Sequence, residues 1–279
     1  MPELPEVETV RRTLMDLAAG KTVAKTDVRW PKIIKHPEEP AQFQDALAGE
    51  TIREISRRGK FLIFHLDHYA LVSHLRMEGK FSVNEQAEPE APHTHVVFTF
   101  TDGTQLRYRD VRKFGTMHLF KKGTESGLAP LIGLGPEPFD ETFTADYLYG
   151  RLQRTSRQVK TALLDQIIVT GLGNIYVDEV LFRARVHPHR IASSITIEEA
   201  ERIHRFTKNV LAEAIERGGS TIRSYVNSQG QIGTFQEVLN VYGRAGEACV
   251  ECGAEIVKTK TGGRGTHICL HCQPLPEGT

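Results

Sequence analysis

The stretch THVVFTFTDGTQLRYRD, residues 94–110, reads as two strands joined at Asp102-Gly103. Apolar and polar residues alternate on both sides, and Asp-Gly suits a tight hairpin turn. Working outward, residues 22 to about 120 hold more short runs of this kind: IREISRR, FLIFHLDH, ALVSHLRM and TMHLFKK. Several strands at this spacing predict a β-sandwich. Ahead of it, Val7, Val10, Leu14 and Leu17 recur at helical spacing, predicting a helix over 5–19 that ends at Gly20. Behind it, the stretch from Gly123 to Asp140 is rich in Gly and Pro and reads as a linker. Helices are expected over 144–153, 157–167 and 175–184. A long one starts at Thr196, where Thr196 and Glu199 fit a capping box, and stops at Gly218-Gly219. Residues 219–240 are polar with little periodicity and read as a long loop. The fold class expected is α+β: an N-terminal β-sandwich with a leading helix, a helical domain, and a small module at the C-terminus.

The chain has 279 residues, enough for two domains, and 39% hydrophobic and 25% charged residues, as in ordinary globular proteins. No apolar run approaches the ~20 residues of a membrane span. Glu3, Glu6 and Glu8 exclude a signal-peptide core, so the expected location is the cytoplasm. With 35 basic and 35 acidic residues the net charge is zero, without the basic excess common in nucleic-acid binders. The distribution is uneven, however. Arg57-Arg58-Gly59-Lys60 forms one basic knot, Arg107, Arg109, Arg112 and Lys113 another, and Arg151, Arg154, Arg157 and Lys160 a third. Such clustering could form a basic groove on a neutral body.

All four cysteines, Cys249, Cys252, Cys269 and Cys272, fall in the pattern C-x2-C-x16-C-x2-C. That is zinc-ligand spacing, and disulfides are rare in a cytosolic protein. Four thiolates fill a tetrahedral sphere, so the expected cofactor is one structural zinc. Between the pairs, Lys258, Lys260 and Arg264 flank the Gly-rich tip Thr261-Gly262-Gly263-Arg264-Gly265, which could approach a phosphate backbone or simply be solvated.

The first residues, Met1-Pro2-Glu3-Leu4-Pro5-Glu6-Val7-Glu8, admit two readings. One is a capped helix start, with Pro5 in the first turn and carboxylates at the positive end of the dipole. The other is chemical. Trimming of Met1 would leave Pro2 with a secondary α-amine; α-amines titrate near ~8, so roughly a tenth of it is unprotonated and nucleophilic at neutral pH. Its attack on a sugar carbon gives a cationic iminium, an electron sink, beside the carboxyl groups of Glu3 and Glu6.

Together, the amino-terminal PELPEVE, the turn GLGNIYVDE at 171–179 and the four-cysteine hairpin resemble the bacterial formamidopyrimidine-DNA glycosylase family across nearly the whole chain. The resemblance implies a bifunctional base-excision-repair enzyme, a glycosylase and abasic-site lyase for oxidised purines, working by Schiff-base chemistry with β,δ-elimination. It implies a monomer with double-stranded DNA as partner, and no membrane. Pro2 would be the nucleophile, Glu3 the acid at the glycosidic bond, and Glu6 a supporting carboxylate. Lys60 would serve β-elimination and Arg264 δ-elimination. Met77, Arg112 and Phe114 would fill the void left by a flipped nucleotide. His74, His93, Lys160, Asn174 and Tyr242 would face DNA. The implied layout is a catalytic sandwich over 1–122, a linker over 123–140, and a helix–two-turn–helix domain with a lesion-capping loop over 141–244. A zinc-finger hairpin over 245–273 and a tail over 274–279 complete it. An endonuclease VIII-like enzyme for oxidised pyrimidines would share Pro2, Glu3 and Lys60, but the Met77, Arg112, Phe114 set argues against it. A non-catalytic zinc-containing protein of damaged DNA is the remaining alternative, expected if Met1 stays in place.

Overall fold

A computed structural model describes residues 1–220 and 233–275. The chain divides into two compact units, Met1–Gly133 with Gly218–Gly233, and Leu134–Arg217 with Thr234–Thr279.

The first unit opens with α1 (Leu4–Ala18). Then come β1 (Val23–Val28), β2 (Ile34–His36), α2 (Pro40–Leu47), β3 (Glu54–Arg58), β4 (Phe61–His65) and β5 (Tyr69–His74). It continues through β6 (Lys80–Glu85), β7 (Thr94–Phe100), β8 (Thr104–Arg109) and β9 (Thr116–Lys121). Two sheets result, in strand orders β1-β7-β8-β6 and β2-β9-β5-β4-β3. Their inner faces share one core: Val96, Phe98 and Leu106 come from the first sheet, Leu62, Phe64 and Leu119 from the second. Val7, Val10 and Leu14 of α1 join the same core, all 2% exposed or less. The expected sandwich with its leading helix is therefore present. At the turn that suggested it, residues 101–103 connect β7 to β8, with Gly103 at φ 85° and its N–H donating to the Phe100 carbonyl at 3.1 Å. One helix falls where only strands were expected. Pro40 starts α2 without needing an N–H partner, and Phe43 and Leu47, four residues apart, bury one face.

The second unit contains α3 (Ala145–Leu152), α4 (Val159–Leu163), α5 (Asn174–Ala184), α6 (Ile197–Glu216) and the hairpin β10 (Val257–Thr261)–β11 (Arg264–Ile268). The Thr196–Glu199 capping box of α6 is formed on both sides. The expected helix over 157–167 shrinks to α4. Beyond Leu164 the Gln166 side chain donates to the carbonyls of Leu164 and Leu172 and accepts from Gly171 N–H, which builds a turn in place of another helical one. Within the stretch read as a long loop, Phe235–Val238 is a 3-10 turn, while 221–232 lie outside the described residues. Among the described residues no helix is long and apolar enough to cross a membrane.

Candidate functional site

Strand register decides where the functional side chains of the first unit lie. In one sheet, Phe61 of β4 pairs with His74 of β5, and His74 pairs with Thr116 of β9. In the other, Lys80 of β6 and Thr94 of β7 both pair with Arg109 of β8. The segments 75–79 and 110–115 link these two levels, each passing from one sheet to the other. The turn Gly59-Lys60, the loop holding Met77, His93 and the loop holding Arg112 and Phe114 therefore share one end of the sandwich. Helix α1 points its start to the same end. Arg11 donates to the Ile55 carbonyl at 3.2 Å, while Glu8, one turn earlier, meets Arg57, two residues further along β3. Extrapolating this course carries Pro2 and Glu3 toward Gly59-Lys60.

That helix start is built from carboxylates. Pro2 is buried, with Met1 still attached, so its nitrogen is an amide in this form. Glu3 and Glu6 are each 3% exposed. Glu6 accepts from Glu3 N–H and, through its other oxygen, from Ser220 N–H, both at 2.8 Å. It is thus a brace that fixes the approach of the chain after α6 to the N-terminus. Glu8 extends the same logic. Burial opposes its ionisation, but hydrogen bonds from Arg11 and Arg12 and the Arg57 charge outweigh this and hold its pKa below the ordinary value. Arg57 in turn donates to the Gly59 carbonyl at 2.9 Å, fixing the turn that carries Lys60.

Lys60 is 5% exposed, and Gly59 occupies the left-handed region at φ 56°. Close by, His74 accepts the Arg76 N–H on Nδ1 at 2.9 Å, which leaves the proton of the neutral ring on Nε2. Burial, then the charges of Arg76 and Lys60, push its pKa down to about 3. Three non-glycine residues of these loops have left-handed backbones, Arg76 (φ 54°), His93 (φ 66°) and Lys113 (φ 59°). Such strain concentrates at functional loops. The 110–115 loop is folded around the fully buried Asp110, whose carboxylate accepts from Arg112 N–H at 3.1 Å and Gly115 N–H at 2.8 Å. With the loop so fixed, Phe114 stands 52% exposed and the Arg112 guanidinium lies over its ring, 4.7 Å from the centroid. Met77 is half-buried. Of the basic knot expected at 107–113, Arg107 is internal, 4% exposed, donating to carbonyls of Glu85, Glu88 and Pro89.

In the second unit the four cysteines converge. Their sulfurs all lie within 4.8 Å of one another, with Cys249–Cys272 at 3.9 Å and Cys252–Cys269 at 3.5 Å. Zn–S bonds of about 2.3 Å in a tetrahedron imply sulfurs roughly 3.8 Å apart. The Glu251 and Cys272 N–H groups point at Cys249 Sγ and Cys269 Sγ, both at 3.5 Å, suiting thiolates. The set fits one structural zinc. The hairpin above it turns on Gly262 and Gly263, both at positive φ, and leaves Arg264 exposed at its tip. Tyr242 packs edge-on against His267 of β11, 4.8 Å between centroids. Asn174 donates to the Gly265 carbonyl at 2.9 Å.

Lys160 requires a correction. Expected as a phosphate contact, it is 0% exposed. Its ammonium donates to Asp178 Oδ1 at 2.7 Å and to the Gly265 carbonyl and Thr266 Oγ1, both at 2.9 Å. Asp178, equally buried, also accepts the His267 N–H at 2.9 Å. Lys160 therefore fastens α4 and α5 to the strand beside Arg264. Sequence reading also passed over Asp178, Glu179 and Asp110. Glu179 accepts four hydrogen bonds from Asn240, Val241 and Tyr242 at the entry to the zinc module. Only Asp110 left a readable signal: an Asp two residues before the N–H it accepts, in a loop ending in Gly, is an Asx-turn.

A β-sandwich followed by a helical unit and a four-cysteine hairpin, with acids and cations gathered at one sandwich end, defines a zinc-containing DNA-repair glycosylase. Three family models match in order: the formamidopyrimidine-DNA glycosylase N-terminal domain over 1–117, its H2TH domain over 134–226, and the zinc finger found in FPG and IleRS over 246–275. Formamidopyrimidine-DNA glycosylases of Bacillus cereus and Bacillus subtilis are 61% and 62% identical, each match covering 98% of this chain and 99% of the relative. The solved Lactococcus lactis Fpg in complex with an abasic-site-containing DNA superposes with a TM-score of 0.92 at 41% identity, covering 98% of this chain and all of that one. The chain belongs to the formamidopyrimidine-DNA glycosylase family, which makes it a base-excision-repair enzyme combining glycosylase and abasic-site lyase activities.

Three outcomes are expected. Lys160→Ala should leave the salt slope of DNA binding unchanged, since a buried ammonium releases no counterions. It should also destabilise the protein by about 3–5 kcal/mol, the cost of orphaning a buried charge; binding isotherms and thermal melts check both. Chelating the zinc should unfold the hairpin, lowering DNA binding and strand cleavage together, as read by circular dichroism and gel assays. The His74 ring should show no titration by NMR between about pH 5 and 8. The unfolded ring binds a proton below 6.5 and the folded ring only near 3, so this group withdraws stability as pH falls through that window.

Proposed function

We propose that this enzyme removes oxidised purines, 8-oxoguanine and formamidopyrimidines, from duplex DNA as a monomer in the bacterial cytoplasm. In this reading it then cuts the abasic strand through a Schiff base on Pro2. The observation that carries the reading is that the Lys60 turn and the loops of Met77, Arg112 and Phe114 share one sandwich end, toward which α1 runs with its start. Lactococcus lactis Fpg, 42% identical, has been solved with DNA containing N7-benzyl-Fapy-dG, which supports the substrate class.

Once Met1 is removed, the Pro2 amine attacks the sugar C1′ and the base leaves, with the buried Glu3 carboxyl placed to assist proton transfer. Glu6, committed to backbone N–H groups, positions this start. Breaking of the C1′–O4′ bond, with a proton taken up by O4′, opens the sugar ring to the iminium, which acidifies the C2′ proton; Lys60 serves the first elimination and Arg264 assists departure of the second phosphate. His74 offers a neutral Nε2–H to a phosphate oxygen, and His93, Asn174 and Tyr242 line the DNA-facing surfaces of their own units. Lys160 acts by holding Gly265 and so Arg264. Met77, Arg112 and Phe114 fill the void in the duplex, and the Arg112 guanidinium can donate to the orphaned base. In this scheme the zinc contributes structure alone.

Borohydride reduction on an 8-oxoguanine duplex should crosslink the protein through Pro2, and Pro2→Gly should slow trapping sharply; tandem mass spectrometry locating the adduct on Lys60 would refute the assignment. Met77→Ala should slow excision of paired 8-oxoguanine about tenfold or more, since the wedge offsets part of the few kcal/mol of unstacking. It should barely change cleavage of a preformed abasic site. Single-turnover rates on the two substrates separate these cases.

A further inference from the structure

Tyr108 lies in β8 at 0% exposure, its ring edge-on against Phe81, 4.9 Å between centroids. Its hydroxyl emerges between segments 75–79 and 110–115, which both cross from sheet to sheet. A methyl group built on Gly115 would fall 2.8 Å from Tyr108 Cζ and closer still to the hydroxyl oxygen; on Gly79 the distance to Cζ would be 2.9 Å. Neither glycine has a positive φ, so backbone conformation does not demand glycine at either place. Space does, and the hydroxyl takes that space. Gly79 also sits over the Leu75 carbonyl, which makes Gly115 the cleaner probe.

The hydroxyl makes no hydrogen bond of good geometry, although it is fully buried. Burial first, then the neighbouring Asp110 carboxylate, push the phenol pKa well above its ordinary value, so it stays protonated. Its polar neighbour is Asp110, and hydrogen bonding between the two adds to the upward shift. Asp110 is the same carboxylate that holds Arg112 and Gly115 N–H groups. The hydroxyl therefore touches the end of the Met77 loop, the end of the Phe114 loop and the acid that organises the latter.

We propose that the Tyr108 hydroxyl is the common seat of the two wedge loops, setting the spacing of Met77 from Arg112 and Phe114 so that all three enter the duplex as one unit. Tyr108 is then a positioning residue for base extrusion. The proposal rests on the wedge role of those three side chains.

Tyr108→Phe keeps the ring and removes the seat. The fold should stay intact by circular dichroism, while single-turnover excision of 8-oxoguanine paired with cytosine falls about tenfold, the signature of lost alignment at the barrier. Cleavage of a preformed abasic site should fall less than about twofold, because little extrusion is needed. Gly115→Ala, pressing on the same seat, should reproduce the selective loss, and the double variant should lose no more than the worse single one. Wild-type excision by Tyr108→Phe, equal losses on both substrates, or losses that simply add would each overturn the proposal. Met77→Ala, run alongside, isolates the premise: a flat profile there removes the wedge reading itself, whereas a selective loss there with an unaffected Tyr108→Phe removes only the seat.

Discussion

The first unit depends on two of the crossings between its sheets, β5 to β6 and β8 to β9, made at the same end. Because Phe61, His74 and Thr116 stand level in one sheet, and Lys80, Arg109 and Thr94 in the other, segments 75–79 and 110–115 must leave and enter the strands side by side. A one-residue slip in either register would turn every core side chain outward. The shared core therefore locks the loops' starting points. Precision at the loop tips is a separate matter, supplied by Asp110, by the Arg76 N–H on His74, and by left-handed backbones at Arg76, His93 and Lys113. The strain is tolerated because packed strands on both sides determine the loop ends.

The second unit solves a different problem: holding a short hairpin that has little core of its own. Small modules need staples, and this one has two kinds. One is the four-thiol cluster at its base. The other is polar, the Lys160–Asp178 pair with Thr266, the Gly265 carbonyl and the His267 N–H. A buried ion pair is often no stronger than an apolar replacement, but it is directional, and here it fixes Gly265, the neighbour of the exposed Arg264. Glu179, one residue along, grips the other entry to the module through three consecutive backbone N–H groups.

These devices mark what could be read from sequence. Strand alternation, the Val7–Leu14 stripe, the Thr196 cap and the cysteine spacing each rest on local periodicity or a short interval, and each reappears in the fold. The α2 helix escaped because only Phe43 and Leu47 mark its buried face within eight residues. The fate of Lys160 was illegible for a deeper reason. Its partners lie 18, 105 and 106 residues away, and a basic run looks alike in water or in a core. Tyr108 hides in the same manner: the alternation assigns it an inward face but not the two glycines its hydroxyl keeps apart.

The buried cations also bear on the neutral net charge. Lys160 is sealed inside and Arg107 spends its guanidinium on carbonyls, so part of the basic excess in two of the three clusters never reaches solvent. Arg109, Arg112, Lys113, Arg154 and Arg157 remain exposed, as does Arg264 at the hairpin tip. Each of these charges acts locally, since charges separated by more than about a Debye length are screened. With Met77, Arg112 and Phe114 as the proposed wedge, discrimination between damaged and undamaged DNA falls to their loops and to the interactions that fix them, Asp110 foremost.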